Sequence, residues 1–86
     1  DVGSWLAVGR IRSTNEFGNA VQGNVITVET KNSIIEGSEK LIAAVGLEDI
    51  IVVDTEDALL ICDKGHAGDI KKVLENLRIC NRNEYI

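Results

Sequence analysis

Short apolar runs separated by polar and glycine-containing breaks fill the middle of the chain. Val25-Ile26-Thr27-Val28, Ser33-Ile34-Ile35, Leu41-Ile42-Ala43-Ala44-Val45, Ile50-Ile51-Val52-Val53 and Ala58-Leu59-Leu60-Ile61-Cys62 are the five runs. Each is rich in β-branched or aliphatic residues and bounded by Gly, Asn, Asp, Glu or Lys, which predicts strands. The breaks are too short for crossover helices. The strands must therefore pair through turns or stack as successive coils. An internal echo favours stacking: Val28-Glu29-Thr30-Lys31-Asn32-Ser33-Ile34-Ile35 aligns with Val53-Asp54-Thr55-Glu56-Asp57-Ala58-Leu59-Leu60. Its acidic-Thr-charged-Asx centre reads as a turn, because Thr and Asx side chains bond local backbone groups. Two such copies imply two strand–turn–strand units packed one over the other.

The two ends change period. Trp5, Leu6, Val8 and Ile11 fall close to three- and four-residue spacing, predicting a short helix from Ser4, its N-cap, to about Arg12. A polar stretch, 13–19, then turns the chain. From His66 onward Ala67, Ile70, Val73, Leu74 and Leu77 follow helical spacing, with Cys80 next in line. This apolar stripe must cover something, and the open face of the β unit is the obvious partner. The pattern gives a mainly β chain with flanking helices, an α+β arrangement.

Composition narrows the function classes. Eighty-six residues make a single small domain, burying roughly 60–65% of the unfolded surface. That leaves little room for a deep pocket. A net charge of −5 with scattered Lys and Arg opposes a nucleic-acid surface; Lys71-Lys72 is a solvated helix face. No apolar run approaches the ~20 residues of a membrane span and no signal-peptide pattern opens the chain, so a soluble, cytoplasmic protein is expected. A chain that opens on Asp and holds no Met is expected to be a piece of a longer protein.

Few residues invite chemistry. Cys62 sits in a strand pattern as a small hydrophobe, and one His with two Cys falls short of a metal set. His66 reads as an exposed residue at the helix start, and Glu48, Asp49, Asp54, Glu56 and Asp57 as solvated turn residues. The eight glycines are dispersed and form no phosphate-cradling loop. Asp1 is the sharpest candidate, because a carboxylate is a hard ligand suited to Mg2+. Gly3 beside it allows close backbone approach to a ligand.

The motifs Asp1-Val2-Gly3-Ser4-Trp5, Gly18-Asn19, Gly23-Asn24-Val25 and Asn32-Ser33-Ile34-Ile35 resemble the C-terminal part of bacterial mannose-1-phosphate guanylyltransferases. The long stretch from Val45-Gly46-Leu47-Glu48-Asp49 through Val53-Asp54-Thr55-Glu56-Asp57 to Ile61 carries the resemblance most strongly. It continues through Asp69-Ile70-Lys71-Lys72-Val73 to about Leu77. It implies an enzyme joining GTP and mannose 1-phosphate into GDP-mannose and pyrophosphate. It also implies a Rossmann-like catalytic domain followed by a partial left-handed β-helix.

By that resemblance residues 1–18 end the nucleotidyltransferase domain, 19–64 form the stacked-strand region, and 65–86 the closing helix and tail. Asp1 becomes a Mg2+ ligand, and Gly3, Ser4 and Trp5 shape the same edge of the substrate site. The family's glycine-rich nucleotide loop and its Glu-Lys-Pro sugar motif would precede Asp1. The 86 residues alone are therefore expected to be inert, with no catalytic residue of their own. Two other readings stand beside this one: a non-catalytic assembly or regulatory module forming a homodimer through its strand edges, and a relative using another base or sugar.

Overall fold

The computed structural model describes residues 14–80; the expected N-terminal helix and the C-terminal tail lie outside them. Six strands are present: β1 Ala20–Gln22, β2 Val25–Val28, β3 Ile34–Glu36, β4 Ile42–Val45, β5 Ile50–Asp54 and β6 Leu59–Asp63. A 3-10 turn, Lys64–Asp69, leads into α1, Ile70–Ile79. The five predicted strands match β2 to β6 within a residue at each end. β1 was not expected, since Ala20-Val21-Gln22 is too short to show alternation.

The strands wind into coils. β1, β3 and β5 pair in parallel in one sheet, and β2 and β4 in parallel in a second. One ladder runs through Ala20, Ile34 and Ile51, and the other pairs Val25 with Ile42 and Val28 with Val45. The stack is that of a short parallel β-helix. β6 breaks the pattern by returning antiparallel to β5, with Val52 opposite Ile61.

The echo therefore marks stacking but misplaces its register. It aligns Val28 with Val53, whereas Val28 pairs with Val45 and Val53 with Glu36. Its first copy turns a corner between the two sheets, and its second makes the β5–β6 reversal. Similar turn chemistry serves both, because Thr and Asx bond local backbone in either setting.

Two apolar cores flank β5. Inside the coil, Ile35, Ala44 and Val52 are buried, with Val25, Ile42, Leu47 and Ile50 against them. On the outer face, Ile51, Val53 and Leu60 meet Ile70 and Leu74 of α1. The helix thus covers the β unit, as its stripe requires. It starts later than His66, because Gly65 and Gly68 in Lys64–Asp69 disfavour α-helix, and Asp63 Oδ1 accepts the Gly65 N–H at 2.7 Å to cap the 3-10 turn.

Candidate functional site

One corner of the coil is built from buried polar side chains. Asn19, Thr30 and Ser33 are 1%, 4% and 0% exposed, so each needs its hydrogen bonds met internally. Asn19 Nδ2 donates to Thr30 O at 2.7 Å, and Asn19 Oδ1 accepts from Ser33 N at 2.9 Å. Thr30 Oγ1 lies 3.1 Å from both Val28 O and Ala44 O. Ser33 Oγ donates to Lys31 O at 3.0 Å and accepts from Ile50 N at 3.2 Å. Three of them, Thr30 to Ala44, Ser33 to Asn19 and Ile50 to Ser33, join residues 14 or 17 positions apart, which is one coil to the next.

The same corners force the backbone into left-handed conformations. Gly18 (φ 79°), Asn32 (φ 51°) and Asp49 (φ 59°) recur at equivalent places in successive coils, as do Glu29 (φ 50°) and Gly46 (φ 70°). Asn and Asp tolerate this region better than most residues. A Cβ on Gly18 would come within 2.5 Å of Asn32 Oδ1. Asp49 is exposed in a turn, as expected, and this turn is also a corner of the coil.

A second polar group ties down the β3–β4 loop. The Asp54 side chain, 3% exposed, accepts from Ser38 Oγ at 3.1 Å and lies 3.7 Å from Lys40 Nζ. Asp54 ends β5 and is buried, where a solvated turn was expected. Sequence reasoning missed this trio and the Asn19 corner, because neither has a spacing that distinguishes it from ordinary polar turns.

Asp1, Gly3, Ser4 and Trp5 lie outside the described residues. His66 is exposed as expected, with Nδ1 3.0 Å from Asp69 Oδ2, and Lys72 Nζ lies 3.0 Å from Asp69 Oδ1. The Asp69 hydrogen bond raises the His66 pKa, and its bonds to His66 and Lys72 lower that of Asp69. Burial pushes the Cys62 thiol up, away from the thiolate a nucleophile needs; Cys62 and Cys80 are free thiols.

No cluster of three metal-binding side chains occurs among the described residues. A groove of about 290 Å3 runs between β6 and α1, but Asp63 and Asp69 line it, which disfavours a phosphate. A smaller cavity of about 90 Å3 lies by Phe17, Thr27 and Lys31. No helix of the described residues is long and apolar enough to cross a membrane. The buried polar side chains of Asn19, Thr30, Ser33 and Asp54 are turned to holding the coil and its loop.

Comparison with known proteins agrees with that architecture. A Vibrio cholerae protein provisionally named a mannose-1-phosphate guanylyltransferase is 46% identical over 99% of this chain, and mannose-1-phosphate guanylyltransferase 2 of Escherichia coli O157:H7 is 38% identical over 100%. The chain spans 18% of the length of each. A solved structure described as mannose-1-phosphate geranyltransferase from Thermus thermophilus superposes with a TM-score of 0.72 at 24% identity, over 90% of this chain and 24% of that one. The model of the MannoseP isomerase/GMP-like beta-helix domain matches residues 23–77, and the chain belongs to that family.

Proposed function

We propose that this chain is the C-terminal β-helix module of a mannose-1-phosphate guanylyltransferase, which converts GTP and mannose 1-phosphate to GDP-mannose and pyrophosphate in the cytoplasm. The observation that carries the reading is the match to named guanylyltransferases along essentially the whole chain, over only 18% of their length. The module's work is positional: the coil, closed by its buried polar corner, is a support for the longer protein. Phosphoryl transfer depends mostly on positioning and charge stabilisation, and a rigid support for one edge of the site serves the first. Among the described residues no three His, Cys, Asp or Glu side chains gather to hold a metal. Asp1 is proposed as one ligand among others from the longer protein, with Gly3, Ser4 and Trp5 along the same edge. By itself the 86-residue chain is inert.

The test is pyrophosphate release by the longer protein, given Mg2+, GTP and mannose 1-phosphate, with the 86-residue chain in parallel. Activity in the first and none in the second is expected. Turnover by the chain alone would overturn the scaffold reading, and a longer protein inactive with every nucleotide and sugar phosphate pair would overturn the enzymatic one. A second reading, an assembly module, is favoured by the exposed aliphatic side chains of β6, Leu59 and Ile61.

A further inference from the structure

Parity along β2 and β4 divides their side chains between two faces. Val25, Ile42 and Ala44 belong to the core inside the coil. The alternate residues therefore point outward: Ile26 and Val28 of β2, Ala43 and Val45 of β4, and Leu41 just before β4. Register sets Ile26 beside Ala43 and Val28 beside Val45, so the five form one apolar patch. Ile26, Val28, Leu41 and Val45 are 54%, 49%, 53% and 64% exposed.

The other sheet is treated differently, since α1 lies over β5 and β6 through Ile70 and Leu74. Parallel strands that read as nearly unbroken apolar runs belong to sheets covered on both faces. Val25-Ile26-Thr27-Val28 and Ile42-Ala43-Ala44-Val45 are such runs, covered on the inner face only. A contiguous apolar patch left open on a small domain marks an interaction site.

Resting on the reading of this chain as the C-terminal module of a longer enzyme, we propose that the outer face of β2 and β4 seats the preceding part of that protein, docked by apolar contact. Two observations choose this occupant. The chain spans 18% of the length of its relatives, so most of such a protein lies outside it. The chain also enters the coil beside the patch. Phe17 O accepts from Asn32 N at 3.1 Å, and Phe17, 55% exposed, lines a cavity with Thr27 and Glu29, the two neighbours of Val28. Residues 1–13 span at most about 45 Å when fully extended. A partner held on so short a tether acts at an effective concentration on the order of millimolar, an advantage that a free partner lacks.

Thiol labelling tests this. Val45→Cys, with Cys62→Ser and Cys80→Ser, is made in the longer protein and in the 86-residue chain, and maleimide modification at residue 45 is followed by mass spectrometry. Labelling in the longer protein is expected to be slower by roughly tenfold or more, while Lys71→Cys, on the solvated face of α1, reacts at similar rates in both. Equal rapid labelling of Val45→Cys in the two proteins overturns the proposal. So does slow labelling in the 86-residue chain, which would place the cover within it, and protection that is lost on dilution, which would make the occupant a second copy. If Val45→Cys disturbs folding by circular dichroism, Val28→Cys gives the same reading from the paired strand. Labelling does not depend on turnover. A protected face in a longer protein that releases no pyrophosphate overturns the enzymatic reading alone, and an open face in an active one overturns this proposal alone.

Discussion

The coil corner and the helix-covered face hold the same strand, β5, by opposite means. On the helix side Ile51 and Val53 meet Ile70 and Leu74 of α1 through aliphatic side-chain contact. At the corner where β5 begins, Ile50 N hangs from the buried hydroxyl of Ser33, which sits over Asn19 in turn. Aliphatic contact is non-directional and tolerates sliding or repacking. Hydrogen bonds to buried groups do not, because a slip leaves a donor or acceptor stranded. The corner therefore selects the register, and the helix face supplies burial without choosing among registers.

The hardest test of that contrast is Asn19→Leu. It keeps the side chain's bulk but strands Ser33 N and Thr30 O, for a loss of about 4 kcal/mol. Thermal unfolding should fall by roughly 20 °C. A loss no greater than that of a surface substitution would show that the corner does not set the fold. On the other side, Leu74→Ala opens a cavity under α1 and costs about 3 kcal/mol, whereas Leu74→Met costs under about 1.5. Urea denaturation measures both, and equal losses would mean that the helix face is as shape-specific as the corner.

Smaller effects sharpen the picture of the corners. Glu29 occupies a left-handed position that Gly46 occupies one coil later. Glu29→Gly should stabilise by about 1 kcal/mol and Gly46→Glu should cost a similar amount, since only glycine adopts that conformation freely. Denaturation midpoints that moved together, rather than in opposite directions, would break the equivalence of the two coils.

The smallest effect lies on the surface, at His66 and Asp69. The raised His66 pKa means that its contribution is present below the ordinary value of 6.5 and lost as pH rises through the raised value. The lowered Asp69 pKa means a contribution present above its ordinary 3.8 and lost as pH falls through the lowered value. The pair is thus fully formed in the window between. Both groups are exposed, so the change in stability is slight. An NMR titration should find the His66 pKa above 6.5 and returning toward it in Asp69→Asn.

Sequence made the aliphatic half of this contrast readable. Runs such as Ile50–Val53 and the stripe Ile70, Val73, Leu74, Leu77 announce strand and helix because burial repeats with the period of the backbone. The polar half was hidden. Asn19 and Ser33 look like any turn residues, and their partners lie a coil away, at distances that a local pattern does not encode. The repeat was hidden for a related reason: coils of unequal length defeat a search at one fixed spacing, and the similar turn chemistry at Thr30 and Thr55 offered a false one. The proposed metal and substrate residues, Asp1 and Gly3 to Trp5, rest on resemblance, because one carboxylate beside a glycine has no spacing to read.

That inequality of coil length has a single location. Between the two sheets the first coil spends only Gly23 and Asn24, and the second spends 37–41. The ladders on either side keep step, with Gly37 N bonded to Gln22 O and Ile42 N to Asn24 O. The longer corner loops outward, where Ser38 and Lys40 reach Asp54. This corner works as an expansion joint: chain can be added there without disturbing the strands it connects. A peptide tag or binding loop grafted between Ser38 and Lys40, with both side chains kept on Asp54, is the alteration the coil is best built to absorb.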